Sequence, residues 1–377
     1  MDNWGSSPGL PWRQLGFKTK RQVADDPYAF QSIRRFWHLV KEGNKVSLPD
    51  CAAFVRPHLV ERGEKKVRAV WGYPCTVSFQ EACFALPLIE AYKKVNTPFA
   101  YGYETARGGC RRIFLRFVKH KHFLSNDYKS FDKTIPPWLT RIAFDILLSN
   151  LDLTEYQDRG IPDSEKLYRA WKKLVKYFIE TPIRLCNGER YRKKKGIASG
   201  SYFTQLIGSI ANYIATKYCI LSQNIQVKDM LVLGDDSLVA TDRAVSLDQL
   251  VSDAKRFGLI INDSKTQRVN NVRDVKFLGY TINDGGPSRP RKELCAALAH
   301  PERPDQDFNE FATRTLGLMI ANFGHDVDFH CLCFQILQSP FKLSYNPSFV
   351  RYLRVLGIEE LPKAPPDLFK LQLMRYR

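Results

Sequence analysis

Hydrophobic and polar residues follow two different periods along the chain, and these periods predict a mixture of helices and strands. In residues 138–151, for example, apolar residues recur at the spacing that lines one face of a helix. Pro27 suits the first turn of another helix. Helices are predicted at 26–43, 138–151, 202–221 and 248–258, and strands at 66–74, 123–127, 228–241 (as a hairpin) and 276–282. This order of elements predicts an α+β fold with several subdomains.

Two acidic residues interrupt the hairpin predicted at 228–241. The stretch LVLGDDSLVA places Asp235 and Asp236 side by side between two apolar runs, and Gly234 before them marks a tight turn. Two carboxylates roughly 4 Å apart repel each other by about 4 kcal/mol at an effective dielectric constant of about 20. Either both side chains extend into water, as in an ordinary solvated hairpin, or a bound cation offsets the repulsion.

A second acidic stretch favours the cation. SNDYKSFDKT places Asp127 at the end of the strand predicted at 123–127, with Asp132 five residues later. Taken singly, Asp132 fits a turn or a helix cap, and Asp127 fits a salt-bridge partner. If both strands end at the same edge of one sheet, however, Asp127 converges with Asp235 and Asp236. Convergent carboxylates without Cys or His point to Mg²⁺ or Mn²⁺, and two such ions support in-line phosphoryl transfer.

The charge of the chain indicates its kind of partner. The 377 residues include 57 Lys and Arg against 39 Asp and Glu, which gives a net charge of +18. Basic residues cluster at 62–68, 111–121 and 190–196, and aromatic or aliphatic residues are interleaved in two of these runs. This distribution favours a nucleic acid partner, whereas each run alone also fits a solvated surface.

Composition argues against several other classes of protein. No apolar run approaches the roughly 18 residues that span a bilayer, so we expect no membrane partner. The start of the chain lacks the basic and apolar regions of a secretory signal. The nine cysteines lack paired spacing and fit reduced thiols. HDVDFHCLC at 325–333 does not match a common zinc site, and an apolar helical pattern explains His330 and both cysteines.

Three motifs in order carry a resemblance to a known family. DYKSFD, SGSYFTQ and LGDDS resemble motifs A, B and C of viral RNA-dependent RNA polymerases. Further stretches resemble the polymerases of the partitiviruses, in particular those of the plant-associated, deltapartitivirus-like branch. These stretches are GSSPGLPWR, KVRAVWGYP, AYGYETARGG, DKTIPPWL and FLGYTINDGGPSRP. The resemblance covers nearly the whole chain and implies a right-hand α+β fold with an antiparallel palm sheet packed on helices.

In motifs A and C, the resemblance assigns roles to the acidic residues. Asp127 and Asp235 match the acids that hold two Mg²⁺ (or Mn²⁺) ions, and Asp236 matches an acid that supports them. Asp132 matches the acid that recognises the incoming ribose, where a carboxylate can accept a hydrogen bond from the 2′-hydroxyl. Because reverse transcriptases usually place an aromatic residue at that step, Asp132 favours ribonucleotides.

Motif B matches the family only in part. Ser199, Gly200 and Thr204 match groups that contact the ribose or the template, while a cap on the following helix would also explain the hydroxyls. Gly208 occupies the position of the usual Asn, and Asn212 lies one turn further along the same helical face. Asn212 either replaces the missing substrate contact or is a packed amide.

The remaining motifs supply basic and backbone groups. Ser7, Pro8 and Gly9 match motif G, which lies at the template entrance, and Lys65, Lys66 and Arg68 match motif F, which lies over the triphosphate. Lys265 matches motif D, which acts at the leaving pyrophosphate. Residues 277–280 match motif E, the primer grip. On a strand, Lys66 and Arg68 would point the same way. Each of these matches also has a simpler explanation. The motif G residues fit an ordinary turn, the motif F residues fit a surface strand, and Lys265 fits a lysine in a loop.

The resemblance implies a domain order and a biological setting. Fingers are expected at 1–122, palm at 123–144, a fingers insertion at 145–195, palm again at 196–282, and thumb at 283–377. The substrates would be an RNA template and ribonucleoside triphosphates, and the product RNA. A double-stranded RNA genome segment would be replicated and transcribed inside the virion, within the host cytoplasm, with the viral capsid protein as a partner. A reverse transcriptase and a non-catalytic RNA-binding particle protein remain alternatives.

Overall fold

The computed structural model describes residues 4–57, 67–156 and 158–375. In these ranges the helices are α1 (Lys20–Asp25), α2 (Pro27–Lys41), α3 (Cys75–Lys94), α4 (Gly109–Phe117), α5 (Phe131–Thr134), α6 (Pro137–Ser149), α7 (Ser164–Ile179), α8 (Thr204–Leu221), α9 (Leu247–Arg256), α10 (Arg291–Ala299), α11 (Phe308–Ala321), α12 (Val327–Ile336), α13 (Pro347–Leu356) and α14 (Leu368–Arg375). The strands are β1 (Cys51–Pro57), β2 (Val67–Gly72), β3 (His122–Asn126), β4 (Pro182–Arg184), β5 (Arg190–Arg192), β6 (Val227–Leu233), β7 (Asp236–Thr241), β8 (Gln267–Val269), β9 (Lys276–Phe277) and β10 (Tyr280–Thr281). Within these ranges, no helix has the length and apolar content that crossing a bilayer requires.

A four-stranded antiparallel sheet in the order β6-β7-β3-β8 separates two hydrophobic cores. Successive side chains of a strand point to opposite faces. Accordingly, Val232 and Val239 pack into one core, and their neighbours Leu231 and Leu238 pack into the other. The two covered faces explain the unbroken apolar runs 230–233 and 238–240 on either side of the Asp pair.

The helices divide between the two faces of this sheet. Helices α2, α3, α6, α7, α8 and α9 contribute buried residues to the first core. Helix α4 shares the second core with the C-terminal helices α10 to α14. The sheet therefore has a rigid, water-excluding support on both sides, which fixes the position of the side chains at its edge.

A second sheet joins two distant parts of the chain. Its order is β2-β1-β4-β5, in which β1 pairs antiparallel with β2 and parallel with β4. Buried Asp50 adds an ion pair with Arg184 at 2.9 Å and another with Arg190 at 2.7 Å. The strands before α3 and those after α7 therefore form one unit.

Most of the predicted elements are confirmed. The predicted helices correspond to α2, α6, α8 and α9, and α2 begins at Pro27 with Asp26 as its N-cap. The strand predicted at 276–282 is instead the hairpin β9–β10. Leu278 and Gly279 have φ of 52° and 78° and form its two-residue turn, since both positions of such a turn require positive φ. In α12, His330 and Cys333 are buried as the apolar pattern predicts, but Cys331 is exposed.

Candidate active site

The Asp pair lies in a two-residue turn at the end of the β6–β7 hairpin. Leu233 pairs with Asp236, so Gly234 and Asp235 form the turn. Gly234 has a φ of +66°, a conformation that glycine adopts most readily, and an added Cβ would also force the Gln205 amide, 2.9 Å away, to shift. The Asp235 side chain is exposed at the tip, whereas Asp236 begins β7 and is largely buried.

Strand register brings Asp127 to this turn. Asn126 at the end of β3 pairs with Ser237 of β7, so the next residue, Asp127, lies beside Asp236. Burial, together with the neighbouring carboxylates of Asp235 and Asp127, raises the pKa of Asp236 to about 7. The predicted convergence of acids from two separate segments is therefore confirmed.

The acidic cluster suits a hard divalent cation. Its donors are carboxylate oxygens, which Mg²⁺ and Mn²⁺ prefer. Because burial and the adjacent carboxylates raise the pKa of Asp236, its ionised form is costly without a counter-charge. Throughout the described part of the chain, however, no three His, Cys, Asp or Glu side chains are already arranged as a ligand set. The residues fit the metal ions by chemistry, and metal binding itself stays a prediction.

Asp127 is held by a loop that follows α9. The Asn262 side-chain amide donates to Oδ2 of Asp127 at 2.5 Å, and its backbone N–H donates to the Asp127 carbonyl at 2.7 Å. The Asp127 backbone N–H in turn donates to the Thr266 hydroxyl at 3.2 Å. Sequence reasoning assigned no role to Asn262 or Thr266, although both flank the predicted motif D residue Lys265. Lys265 itself is exposed in this loop, and its role stays a prediction.

The GDD turn is held from the opposite side by α8. The Asn212 amide donates to three successive carbonyls of the turn, those of Gly234 at 3.1 Å, Asp235 at 2.9 Å and Asp236 at 3.2 Å. Ser209 Oγ accepts a hydrogen bond from the Gly234 N–H at 2.8 Å. Thr216 completes the network by donating its hydroxyl to Oδ1 of Asn212 at 2.8 Å.

This network corrects the substrate-binding role predicted for Asn212. Its side chain is 0% exposed, and its donors are committed to motif C. Asn212 therefore does not present an amide to ribose in this structure, and the alternative of a packed helix-face amide is the correct one. Gly208 lies where α8 approaches the turn, because an added Cβ would be 3.4 Å from the Gly234 Cα.

The motif B loop before α8 is tied to motif A and to β2. Its first residues, Gly196 and Ile197, donate their N–H groups to the carbonyls of Ile135 and Asp132, both at 2.7 Å. The Asp132 side chain is partly exposed beside this junction. Further along, Ser199 Oγ accepts a hydrogen bond from the Trp71 N–H at 3.4 Å. The loop thus lies between the segment that carries Asp132 and the strand that carries motif F.

The hydroxyls of motif B do not cap the following helix. Helix α8 has Phe203 as its N-cap, without a side-chain hydrogen bond. Thr204 donates its hydroxyl to the Ala198 carbonyl at 2.5 Å, which closes the loop on itself. Gly200 has a φ of +140°, and an added Cβ would lie 2.7 Å from the Trp71 carbonyl oxygen. The substrate contacts predicted for Ser199, Gly200 and Thr204 stay predictions.

Motif G packs against the start of α3. The Pro8 carbonyl accepts a hydrogen bond from the Cys75 N–H at 2.7 Å, and the Gly9 N–H donates to Ser7 Oγ at 3.4 Å. At Gly9, φ is +71° and an added Cβ would lie 2.7 Å from the Pro74 Cα. Close packing of backbone therefore explains the small residues here, and template contact stays a prediction.

Motif F is described only in part. Lys65 and Lys66 lie outside the described residues. Arg68 lies in β2, where its backbone pairs with Arg56 of β1. The predicted contact of these three residues with a triphosphate stays a prediction.

Comparison with known proteins agrees with this geometry. A family model described as "Viral RNA-dependent RNA polymerase" matches residues 2–337. Over 398 residues, the chain is 30% identical to the RNA-directed RNA polymerase of Cryptosporidium parvum virus 1 (strain KSU-1), with 98% of this chain and 68% of that protein covered. Over 362 residues, it is 28% identical to the RNA-directed RNA polymerase of Atkinsonella hypoxylon virus (isolate 2H), with 83% of this chain and 54% of that protein covered. The chain thus spans about two thirds and about half of these relatives.

Solved structures support the same fold. The crystal structure of the RNA-dependent RNA polymerase of a human picorbirnavirus superposes with a TM-score of 0.62 at 17% identity, with 76% of this chain and 55% of that chain covered. At this identity, the likeness concerns the fold alone, and it confirms the α+β polymerase architecture predicted from the motifs. The family match over residues 2–337, together with a relative at 30% identity, shows that this chain belongs to the viral RNA-dependent RNA polymerase family.

Proposed function

We propose that the chain is an RNA-dependent RNA polymerase that extends RNA by two-metal nucleotidyl transfer. The single observation that carries the proposal is the convergence of Asp127 from β3 with Asp235 and Asp236 from the β6–β7 hairpin. Membership of the family supports the same activity. If these acids were merely solvated, the hydrogen bonds from Asn262 to Asp127 and from Asn212 to the GDD turn would have no evident purpose.

In the proposed mechanism, Asp127 and Asp235 hold two Mg²⁺ or Mn²⁺ ions, with Asp236 in support. Such a pair, when bound, stabilises the attacking and leaving oxygens of an in-line phosphoryl transfer. Asn262 orients Asp127 through the bond to Oδ2, and Asn212 keeps the GDD turn in place. The 3′-hydroxyl releases its proton to water as its oxygen bonds to the α-phosphorus of the incoming nucleotide. The bond from that phosphorus to the α–β bridging oxygen breaks, and pyrophosphate leaves.

Other residues bind and select the substrates. Asp132 accepts a hydrogen bond from the ribose 2′-hydroxyl, which distinguishes ribonucleotides from deoxyribonucleotides. Lys65, Lys66 and Arg68 bind the triphosphate, and Lys265 protonates the leaving pyrophosphate. Ser199, Gly200 and Thr204 contact the ribose or the template, and Ser7, Pro8 and Gly9 border the template entrance.

The proposed domain order has structural support. The palm sheet is built from strands in 123–144 and 196–282, extended by one residue at His122. The sheet β2-β1-β4-β5 joins the N-terminal fingers (1–122) to the insertion (145–195), as expected if both form one fingers unit. The proposed thumb (283–377) consists of α10 to α14 among the described residues.

We further propose the setting of a double-stranded RNA virus. The chain would replicate and transcribe a genome segment in the virion interior, within the host cytoplasm, next to the viral capsid protein. Both relatives described above are viral proteins named RNA-directed RNA polymerase, which supports RNA as the template. The net charge of +18 suits a polyanionic template.

Nucleotide incorporation on a short RNA template tests the proposal. Wild-type protein with Mg²⁺ or Mn²⁺ should extend RNA with ribonucleotides, and Asp235→Ala should abolish extension while leaving the fold intact. A preference for deoxyribonucleotides would favour a reverse transcriptase. Equal signals from the wild-type and Asp235→Ala proteins would favour a non-catalytic RNA-binding protein.

A further inference from the structure

A fully buried carboxylate lies directly behind the motif B loop. Glu81, in the second turn of α3, is 0% exposed. Its Oε1 accepts a hydrogen bond from the Ser201 hydroxyl at 2.8 Å, and its Oε2 accepts one from the Tyr202 backbone N–H at 3.0 Å. Both oxygens of the carboxylate therefore bind the short segment that leads from Gly200 into α8.

Holding an acid at this depth is costly. Burial raises the pKa of Glu81 to about 7, although Tyr202, Ser201, Tyr73 and the nearby Lys20 ammonium oppose that rise. Lys20 is itself only 6% exposed, and burial lowers the pKa of its amine. A carboxylate is disfavoured in such a place unless its hydrogen bonds are needed, because an apolar side chain of similar size would avoid the cost of desolvation.

The segment that Glu81 binds is also anchored by Phe203, which is 0% exposed and packs against Phe144 and Trp171 in the first core. Ser201 Oγ also accepts a hydrogen bond from the Phe203 N–H at 3.1 Å, so one hydroxyl links Glu81 to the first residues of α8. Immediately before Ser201, Gly200 has a φ of +140°, a conformation that only glycine adopts readily. On the far side of Gly200, Ser199 is bonded to β2 through the Trp71 N–H. Gly200, whose backbone lies against Trp71, is thus flanked by one contact to β2 and one to Glu81.

We propose that Glu81 is a positioning residue that fixes the α8 end of the motif B loop and so orients Ser199 and Thr204 towards the substrates. Glu81 acts through Ser201 and Tyr202 and touches no substrate itself. The inference rests on the proposed polymerase function and adds to it a residue that lies outside the motifs. The hydroxyl of Ser201 and the carboxylate of Glu81 act as one unit.

Four single variants, one double variant and a control separate positioning from general stability. Glu81→Ala removes the anchor, and Glu81→Gln keeps one acceptor for Tyr202 and a donor for Ser201. Ser201→Ala removes the partner hydroxyl, and Ser201→Thr retains one. Leu88→Ala is the control, because Leu88 is buried in the same helix but belongs to the hydrophobic core. Single-nucleotide incorporation gives kcat and KM for the ribonucleotide, normalised to the folded, RNA-binding fraction.

Glu81→Ala and Ser201→Ala should each lower kcat/KM for the nucleotide by about 100-fold, because a displacement of about 1 Å near the substrate costs that much. Glu81→Gln and Ser201→Thr should stay within about fivefold of wild type, since each retains hydrogen bonding. The double variant Glu81→Ala with Ser201→Ala should lose little more than either single variant. Leu88→Ala should lower the melting temperature with kcat/KM within about threefold of wild type per folded molecule.

Contrary results are distinguishable from a failure of the proposed function. An active wild type in which Glu81→Ala and Ser201→Ala behave like Leu88→Ala would overturn the positioning role alone. The positioning role would also be overturned if the fold-losses of the two single variants multiplied in the double variant, because losses multiply when two groups act independently. If Glu81→Ala does not fold, Ser201→Ala against Ser201→Thr decides the question. A wild type that incorporates no nucleotide would overturn both the function and this inference.

Discussion

Replacing Asn212 with leucine tests how the GDD turn is held. Leucine is similar in size but has no hydrogen-bonding groups, so Asn212→Leu removes the donor to the carbonyls of Gly234, Asp235 and Asp236. It also removes the acceptor for the Thr216 hydroxyl. A buried hydrogen bond contributes about 1 kcal/mol, and a buried group left without a partner costs about 1–3 kcal/mol.

From these contacts, we expect Asn212→Leu to lower the free energy of unfolding by about 2–4 kcal/mol. The turn should also shift relative to Asp127, because strand pairing and Ser209 then hold it alone on this side. A shift of about 1 Å at the reacting centre should lower kcat by about 100-fold. Urea unfolding measures the first effect, and single-nucleotide incorporation at saturating ribonucleotide measures the second.

Asn322→Leu is the matched control. Asn322 is also buried, at 2% exposed, and its amide donates to the Asp326 carbonyl at 2.8 Å while its oxygen accepts from the Asp326 N–H at 3.0 Å. It is the C-cap residue of α11, between Ala321 and Phe323 of the second hydrophobic core. Asn322→Leu should therefore lose stability but keep its kcat. If both variants had the same kcat at a temperature where both are folded, the positioning argument for Asn212 would be refuted.

Three further changes test single groups of the site. In metal-free buffer at pH 8, Asp236→Asn should raise the melting temperature, because burial and the adjacent carboxylates raise the pKa of Asp236 from 3.8 to about 7 and so disfavour its ionised form. Because of this raised pKa, the wild-type protein loses stability as the pH rises from about 4 to 7. The gain in melting temperature of Asp236→Asn should therefore vanish near pH 4, and a gain that does not depend on pH would contradict this cause. Asn262→Ala should lower activity about 10–100-fold and raise the Mg²⁺ concentration needed for half-maximal activity, because Asp127 loses its orienting donor; an unchanged Mg²⁺ titration would count against that role. Asp132→Ala should reduce the preference for ribonucleotides over deoxyribonucleotides at least about tenfold, and an unchanged ratio in a competition assay would argue against ribose recognition by Asp132.

The sequence predicted those elements in which one face alone is buried or in which a turn interrupts an apolar run. Helix α2 and the β6–β7 hairpin are examples of each. Helix α3 was not predicted, because Thr76, Ser78, Glu81 and their apolar neighbours are buried on most sides and leave no polar face to mark the period. The break at Leu278 was missed because leucine seldom adopts the positive φ that it has there.

The same distinction applies to the active site. Asp127, Asp132, Asp235 and Asp236 stand in short motifs, and their types and spacing state their chemistry. The residues that support these acids are not marked by a motif. Asn262, for example, is 135 positions away from Asp127 in the sequence and contacts it only in the fold. Such pairs form only when α8, the sheet and the loop after α9 pack together. An amide in a largely apolar stretch of helix, as Asn212 is in α8, is a local sign that could have indicated a support.

Anomalous diffraction from crystals of the protein with RNA, a non-reactive ribonucleotide analogue and Mn²⁺ tests the central claim most directly. The account predicts two Mn²⁺ peaks roughly 4 Å apart, with carboxylate oxygens of Asp127 and Asp235 as ligands. Such crystals with Mn²⁺ bound elsewhere, or with no peak between β3 and the β6–β7 turn, would contradict it.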